Sequence, residues 1–99
     1  MNKKTNEQYK SNEKTILDVF TKLLEEKDIQ KITVKEICED AHINRSTFYN
    51  HFEDVYGVLE KMWLIHAENM RYIFRKSHTS SKRENMRLIL LYIKENELF

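Results

Sequence analysis

Residues 33–52 read TVKEICEDAHINRSTFYNHF, and the spacing of apolar residues in this stretch decides the fold. Val34, Ile37, Cys38 and Ala41 recur at the three-to-four spacing of one helical face, and Phe48 and Phe52 stand one turn apart on another. Only His42, Ile43 and Asn44 separate the two sets. Each helix has its own start signal. Thr33 followed three residues later by Glu36 is a capping box, in which hydroxyl and carboxylate satisfy otherwise orphaned amides. Asn44 is a good N-cap for the second helix. The reading predicts helices over about 34–41 and 45–52, joined by a tight turn, which is the geometry of a helix-turn-helix.

Working outward, Ile16, Leu17, Val19, Phe20, Leu23 and Leu24 form a buried stripe on a helix expected from near Tyr9–Asn12 to about Lys27. Residues 28–32 connect it to the capping box. On the other side Glu53 and Asp54 break and recap the chain. A long helix follows to about Arg75, with Val55, Val58, Leu59, Met62, Ile65, Asn69 and Ile73 along one side. Residues 76–81 read as a loop, and a fifth helix starts near Lys82 with Met86, Ile89, Leu90, Ile93 and Leu98. The chain has no Pro and a single Gly, Gly57, which favours helices over a turn-rich β fold. The expected class is all-α. Its expected divisions are a disordered basic tail over 1–8, a helix-turn-helix domain over 9–54, a connecting helix over 55–76, and an incomplete further helical domain over 77–99.

At 99 residues, 40% hydrophobic and 33% charged, the chain can bury one modest core. No run approaches the roughly 20 apolar residues of a membrane span, and no signal-peptide core follows the polar start, so a soluble, cytoplasmic protein with no membrane partner is expected. The lone Cys38 lies on the apolar stripe and reads as a buried, inert thiol. His42, His51, His66 and His78 include no pair at helical ligand spacing, so no metal site is expected. No nucleophile–base–acid grouping suggests catalysis, and no cofactor is implied. The net charge of +1 is unevenly spread: +2 over 1–14, −2 over 15–52, −3 over 53–70, +5 over 71–87 and −1 over 88–99. The basic stretch Arg71, Arg75, Lys76, Lys82, Arg83 and Arg87 reads as a solvated face. Trp63, Tyr72 and Phe74 read as core that further chain would have to cover.

The candidate chemistry sits on the outward side of the second short helix, Arg45, Ser46, Thr47, Tyr49, Asn50 and His51. Every member can donate or accept a hydrogen bond, and no acid occurs between Asn44 and Phe52. A merely solvated face in a chain this rich in Glu and Lys would be expected to contain acids. The second helix of a helix-turn-helix enters the major groove. Arg45 suits a bidentate contact to guanine and Asn50 one to adenine. Thr47, Tyr49 and His51 suit phosphate oxygens, and Thr33 is placed for another phosphate through its hydroxyl and the helix dipole. Lys3 and Lys4 on the expected tail are candidates for accessory minor-groove or phosphate contacts.

Residues 33–59 closely resemble the helix-turn-helix signature of the TetR family, most of all TFYNHF at 47–52. The resemblance implies a homeodomain-like three-helix bundle followed by a long fourth helix. It also implies a homodimeric repressor whose recognition helices occupy successive major grooves of a double-stranded, pseudo-palindromic operator. A small-molecule inducer bound in a larger C-terminal domain is implied as well. Three departures stand out. His42 occupies the turn position where the family usually has Gly, so a left-handed residue or a different turn is expected. Val55 replaces a frequent phosphate-gripping Lys. The ligand and dimer domain needs on the order of 100 further residues, of which little is present. A helical interaction module, or a truncated regulator that pairs with a full-length relative without reading DNA, is the alternative.

Overall fold

The computed structural model describes residues 3–77 and 81–96, with side chains over 6–76 and 81–96. Its helices are α1 (Lys3–Glu26), α2 (Val34–Ala41), α3 (Arg45–Tyr49), α4 (Val55–Ser77) and α5 (Lys82–Asn96), with a single 3-10 turn at Ile29–Lys31. No strand occurs among the described residues, and none of their helices is long and apolar enough to cross a membrane. The all-α class holds. Two details depart from the sequence reading. Helix α1 begins at Lys3 rather than near Tyr9, and the face that carries Ile16 and Phe20 continues upstream at the same spacing through the half-buried Glu13 to the largely exposed Tyr9. Helix α3 ends at Tyr49, and Asn50 caps it instead of continuing it.

The chain forms two units, up to Met62 and from Trp63 onward. In the first, Ile16, Phe20 and Leu23 of α1, Ile32 after the 3-10 turn, Ile37 and Cys38 of α2, Phe48 of α3, Phe52, and Val55, Val58 and Met62 of α4 share one core. Phe20 and Phe48 are its largest fully excluded side chains. Each contributes roughly 1.5–3 kcal/mol by burial, so Phe48 alone is comparable to all that the few hydrogen bonds of a five-residue helix supply. Burial of this one ring holds α3 in place.

The turn between α2 and α3 closes with the backbone pattern of a Schellman motif. His42 N–H donates to Glu39 O at 3.3 Å and Ile43 N–H to Cys38 O at 3.0 Å. Ile43 then packs against the core beside them. His42 takes the left-handed conformation, φ 59° and ψ 43°, and is the only non-glycine residue with positive φ among those described. The left-handed geometry is what lets two helices turn within three residues, and an L side chain there is strained.

The second unit has a small polar cluster at its centre. Tyr92 is buried, its hydroxyl accepts a hydrogen bond from Asn69 Nδ2 at 3.1 Å, and it meets His66 Nδ1. The His66 ring stands edge-on to Tyr92 at 5.3 Å and to Trp63 at 6.3 Å. Burial pushes the His66 imidazole below its usual 6.5. A bare Nδ1 on the neutral ring accepts a hydrogen bond from the Tyr92 hydroxyl; a protonated one cannot.

Two outcomes are expected. His42→Gly relieves the left-handed strain, offset by glycine's greater unfolded freedom, and should stabilise the protein by about 1 kcal/mol. In a domain of this size that raises Tm by about 4–8 °C in a thermal melt. For His66, whose folded value lies below its unfolded one, stability is fully present above about pH 6.5 and is lost as pH falls through 6.5 toward the folded value. Urea unfolding followed by Trp63 fluorescence should lose more stability between pH 7 and pH 5 in the parent than in His66→Phe.

Candidate nucleic-acid interface

Both short helices owe their starts to side-chain caps. Glu36 N–H donates to Thr33 Oγ1 at 3.1 Å, and Thr47 N–H donates to Asn44 Oδ1 at 2.8 Å. Only half of the expected capping box forms. The Glu36 carboxylate turns instead to Lys27 Nζ at 2.5 Å, tying the end of α1 to the start of α2. A charged partner just past the end of α1 outcompetes the neutral amide of Thr33. Thr33 itself is exposed at the start of α2, the end of a helix that favours anions.

On α3, Arg45, Ser46 and Tyr49 are exposed, Thr47 is half-buried, and Asn44 and Asn50 flank them in the open. Tyr49 is 54% accessible although its ring meets Phe48 edge-on. An aromatic ring held by a buried neighbour and otherwise facing solvent is a rigid, amphipathic contact group. Arg45 forms no ion pair with a described residue. Its guanidinium lies close enough to draw the Cys38 thiol toward ionisation, yet burial dominates and raises that thiol above its usual value. Cys38 is therefore protonated and inert, as its place on the stripe suggested.

The structure thus brings Asn44, Arg45, Ser46, Thr47, Tyr49 and Asn50 together at one exposed helix and its caps, with Thr33 at the start of the preceding helix. It does not bring His51 with them. The His51 side chain is 1% exposed and lies beneath Tyr9, ring centroids 3.9 Å apart at 29°. Glu13 Oε1 stands 3.6 Å from its Nδ1. Because α3 ends at Tyr49, the backbone turns at Asn50 and His51 and sends the imidazole inward, away from the face it would occupy on a continuous helix. The expected phosphate contact of His51 is corrected accordingly. Lys3 and Lys4 have side chains outside the described residues.

Tyr9 is the residue that sequence reasoning passed over. Its hydroxyl donates to Asn50 O at 3.2 Å, across 41 positions of sequence, while its ring covers His51. The signal was available in the register: Tyr9, Glu13, Ile16, Phe20 and Leu23 follow the same helical face.

A short, acid-free helix, capped at its start, joined to α2 by a tight turn and backed by the shared core, has the architecture of a helix-turn-helix. Residues 16–62 match the family described as bacterial regulatory proteins, tetR family, and the helix-turn-helix unit they form is of the TetR type. It is 28% identical to the uncharacterized HTH-type transcriptional regulator YxbF of Bacillus subtilis (strain 168), over 90% of this chain and 25% of that one. It is 29% identical to the HTH-type dhaKLM operon transcriptional activator DhaS of Lactococcus lactis subsp. lactis (strain IL1403), over 88% of this chain and 46% of that protein. The HTH-type regulator YvkB of Bacillus subtilis (strain 168) is 31% identical over 65% of this chain and 34% of its own length. The chain spans less than half the length of each of these relatives. No solved structure matches it.

The caps separate folding from binding. Asn44→Ala should cost about 1 kcal/mol in chemical denaturation through the lost bond to Thr47 N–H, whereas Asn44→Asp, which keeps the acceptor, should leave stability near the parent's.

Proposed function

We propose that this chain reads a pseudo-palindromic operator as a homodimer, with α3 of each copy in the major groove. The observation that carries the reading is the exposed face Arg45, Ser46, Tyr49 and Asn50, free of acids and backed by the buried Phe48. Arg45 and Asn50 are the base-reading groups. Tyr49, Thr47 and the start of α2 at Thr33 hold phosphates, and Asn44 contributes by capping α3.

Physical limits on so short a helix favour the dimer. Two bidentate contacts at roughly 1–3 kcal/mol each give a single copy modest discrimination, and a second half-site about 34 Å away doubles the contacts at high effective concentration. The second unit also exposes apolar surface suited to association: Leu64 and Tyr72 on α4, and Met86, Leu90 and Leu91 on α5, are all more than 40% accessible. Repression, which needs occupancy alone, is the proposed mode, following the family resemblance. DhaS, by its name an activator, indicates that relatives take the other sign as well. In vitro transcription from the selected site decides between them.

The test is selection of duplexes from a random library by the full chain at two salt concentrations. A palindromic site, bound with an affinity that falls linearly in logarithm with salt, is the expected result. Arg45→Ala should lose about 10- to 100-fold in affinity and relax preference at one base position in each half-site. Tyr49→Ala should weaken all sequences alike. Should both variants keep the parent's footprint, the assigned face is wrong. Association without selection of any duplex would instead support a helical interaction module that pairs with a relative.

A further inference from the structure

Helix α3 has five residues and is about 7.5 Å long, too short to hold its own orientation. Its start is fixed by Asn44 and its middle by Phe48. Two of the proposed contact residues, the phosphate-holding Tyr49 and the base-reading Asn50, lie beyond both, at the end where the helical hydrogen bonds run out. That end is held from outside. The Tyr9 hydroxyl donates to Asn50 O at 3.2 Å, and the Tyr9 ring stacks at 3.9 Å on His51, whose side chain is almost wholly excluded from solvent. Glu13, one turn further along α1, faces His51 Nδ1 at 3.6 Å, and Phe52 flanks the imidazole on its own segment. Tyr9 also lies upstream of residues 16–62, the part that matches the family.

We infer that Tyr9 is a positioning residue for DNA reading: it clamps the C-terminal end of α3 through Asn50 O and His51, and so sets where Tyr49 and Asn50 meet the duplex. The inference rests on the proposed function above. Tyr9 keeps 45% of its surface exposed, so it contributes little to the core whose burial keeps the unit folded. Its effect on the end of α3 should therefore exceed its effect on stability. A reading group that shifts by about 1 Å loses the geometry that bidentate base contacts need, while loose phosphate attraction survives the shift.

The experiment compares the parent with Tyr9→Ala and Tyr9→Phe in the full chain. Binding is measured to the duplex that the parent selects and to a scrambled duplex of equal length; amide hydrogen exchange is measured without DNA. With a hydrogen bond and a ring stack both lost, Tyr9→Ala should bind the selected duplex about tenfold more weakly and the scrambled duplex as the parent does. Exchange should quicken at residues 50–52 and stay unchanged in α2. Tyr9→Phe, which keeps the stack, should recover most of the discrimination. A merely structural role predicts quicker exchange throughout α1–α3 and equal losses on both duplexes, and that result overturns the inference. Unchanged exchange at 50–52, with the selected duplex still bound more weakly, overturns it in favour of direct DNA contact by Tyr9. If the parent selects no duplex, the functional reading fails and the inference falls with it; if the parent selects one and Tyr9→Ala keeps its discrimination, only the inference fails.

Discussion

Phe48 is where the exposed polar face of α3, the proposed reading face, and the hydrophobic core meet. A five-residue helix cannot be stable alone, since nucleation fixes several residues for each hydrogen bond gained. Here one ring on its inner side is fully excluded from water, in the same core as Phe20, Ile16 and Ile37. The opposite side is thereby free to carry polar groups chosen for contact. Tyr49 follows Phe48 in the chain and leans against it, so burial at one position orients exposure at the next.

The turn before α3 shows what this arrangement costs. Two helices that change direction within three residues need a left-handed residue, and His42 supplies it where a glycine would be unstrained. Ile43 offsets part of the strain by packing into the core directly after it. Asn44 then starts α3 by accepting the Thr47 amide. Strain, packing and cap occupy consecutive residues, and together they fix the angle at which the reading face is presented.

Most of the architecture was legible because it is encoded in local spacing. The stripes of α1, α2 and α4, the Thr33 and Asn44 caps and the buried Cys38 all follow from side-chain period and from chemistry within a turn or two. The upstream extension of α1 was missed because Tyr9 and Glu13 are an amphipathic ring and an acid, and neither counts as apolar in a periodicity reading. Glu36 was assigned to its own helix start because only the fold brings Lys27 within reach of it. His51 was read as outward on the assumption that α3 continued through Phe52, whereas the backbone leaves the helix after Tyr49.

The sequence by itself determined that this chain is helical, that a capped tight turn joins α2 to α3, and that the face after that turn is polar and free of acids. Each of these depends on residues within about four positions of one another, which is the range over which helix period and capping act. The tertiary structure alone decided which polar residues on that face are available and which are consumed. His51 is covered by Tyr9 of α1, and on the preceding helix the Glu36 carboxylate is taken by Lys27, just past the end of α1; each competing partner approaches only once the core has closed. Contacts between residues 9 and 42 positions apart leave no mark in local spacing, and burial of the shared core creates them.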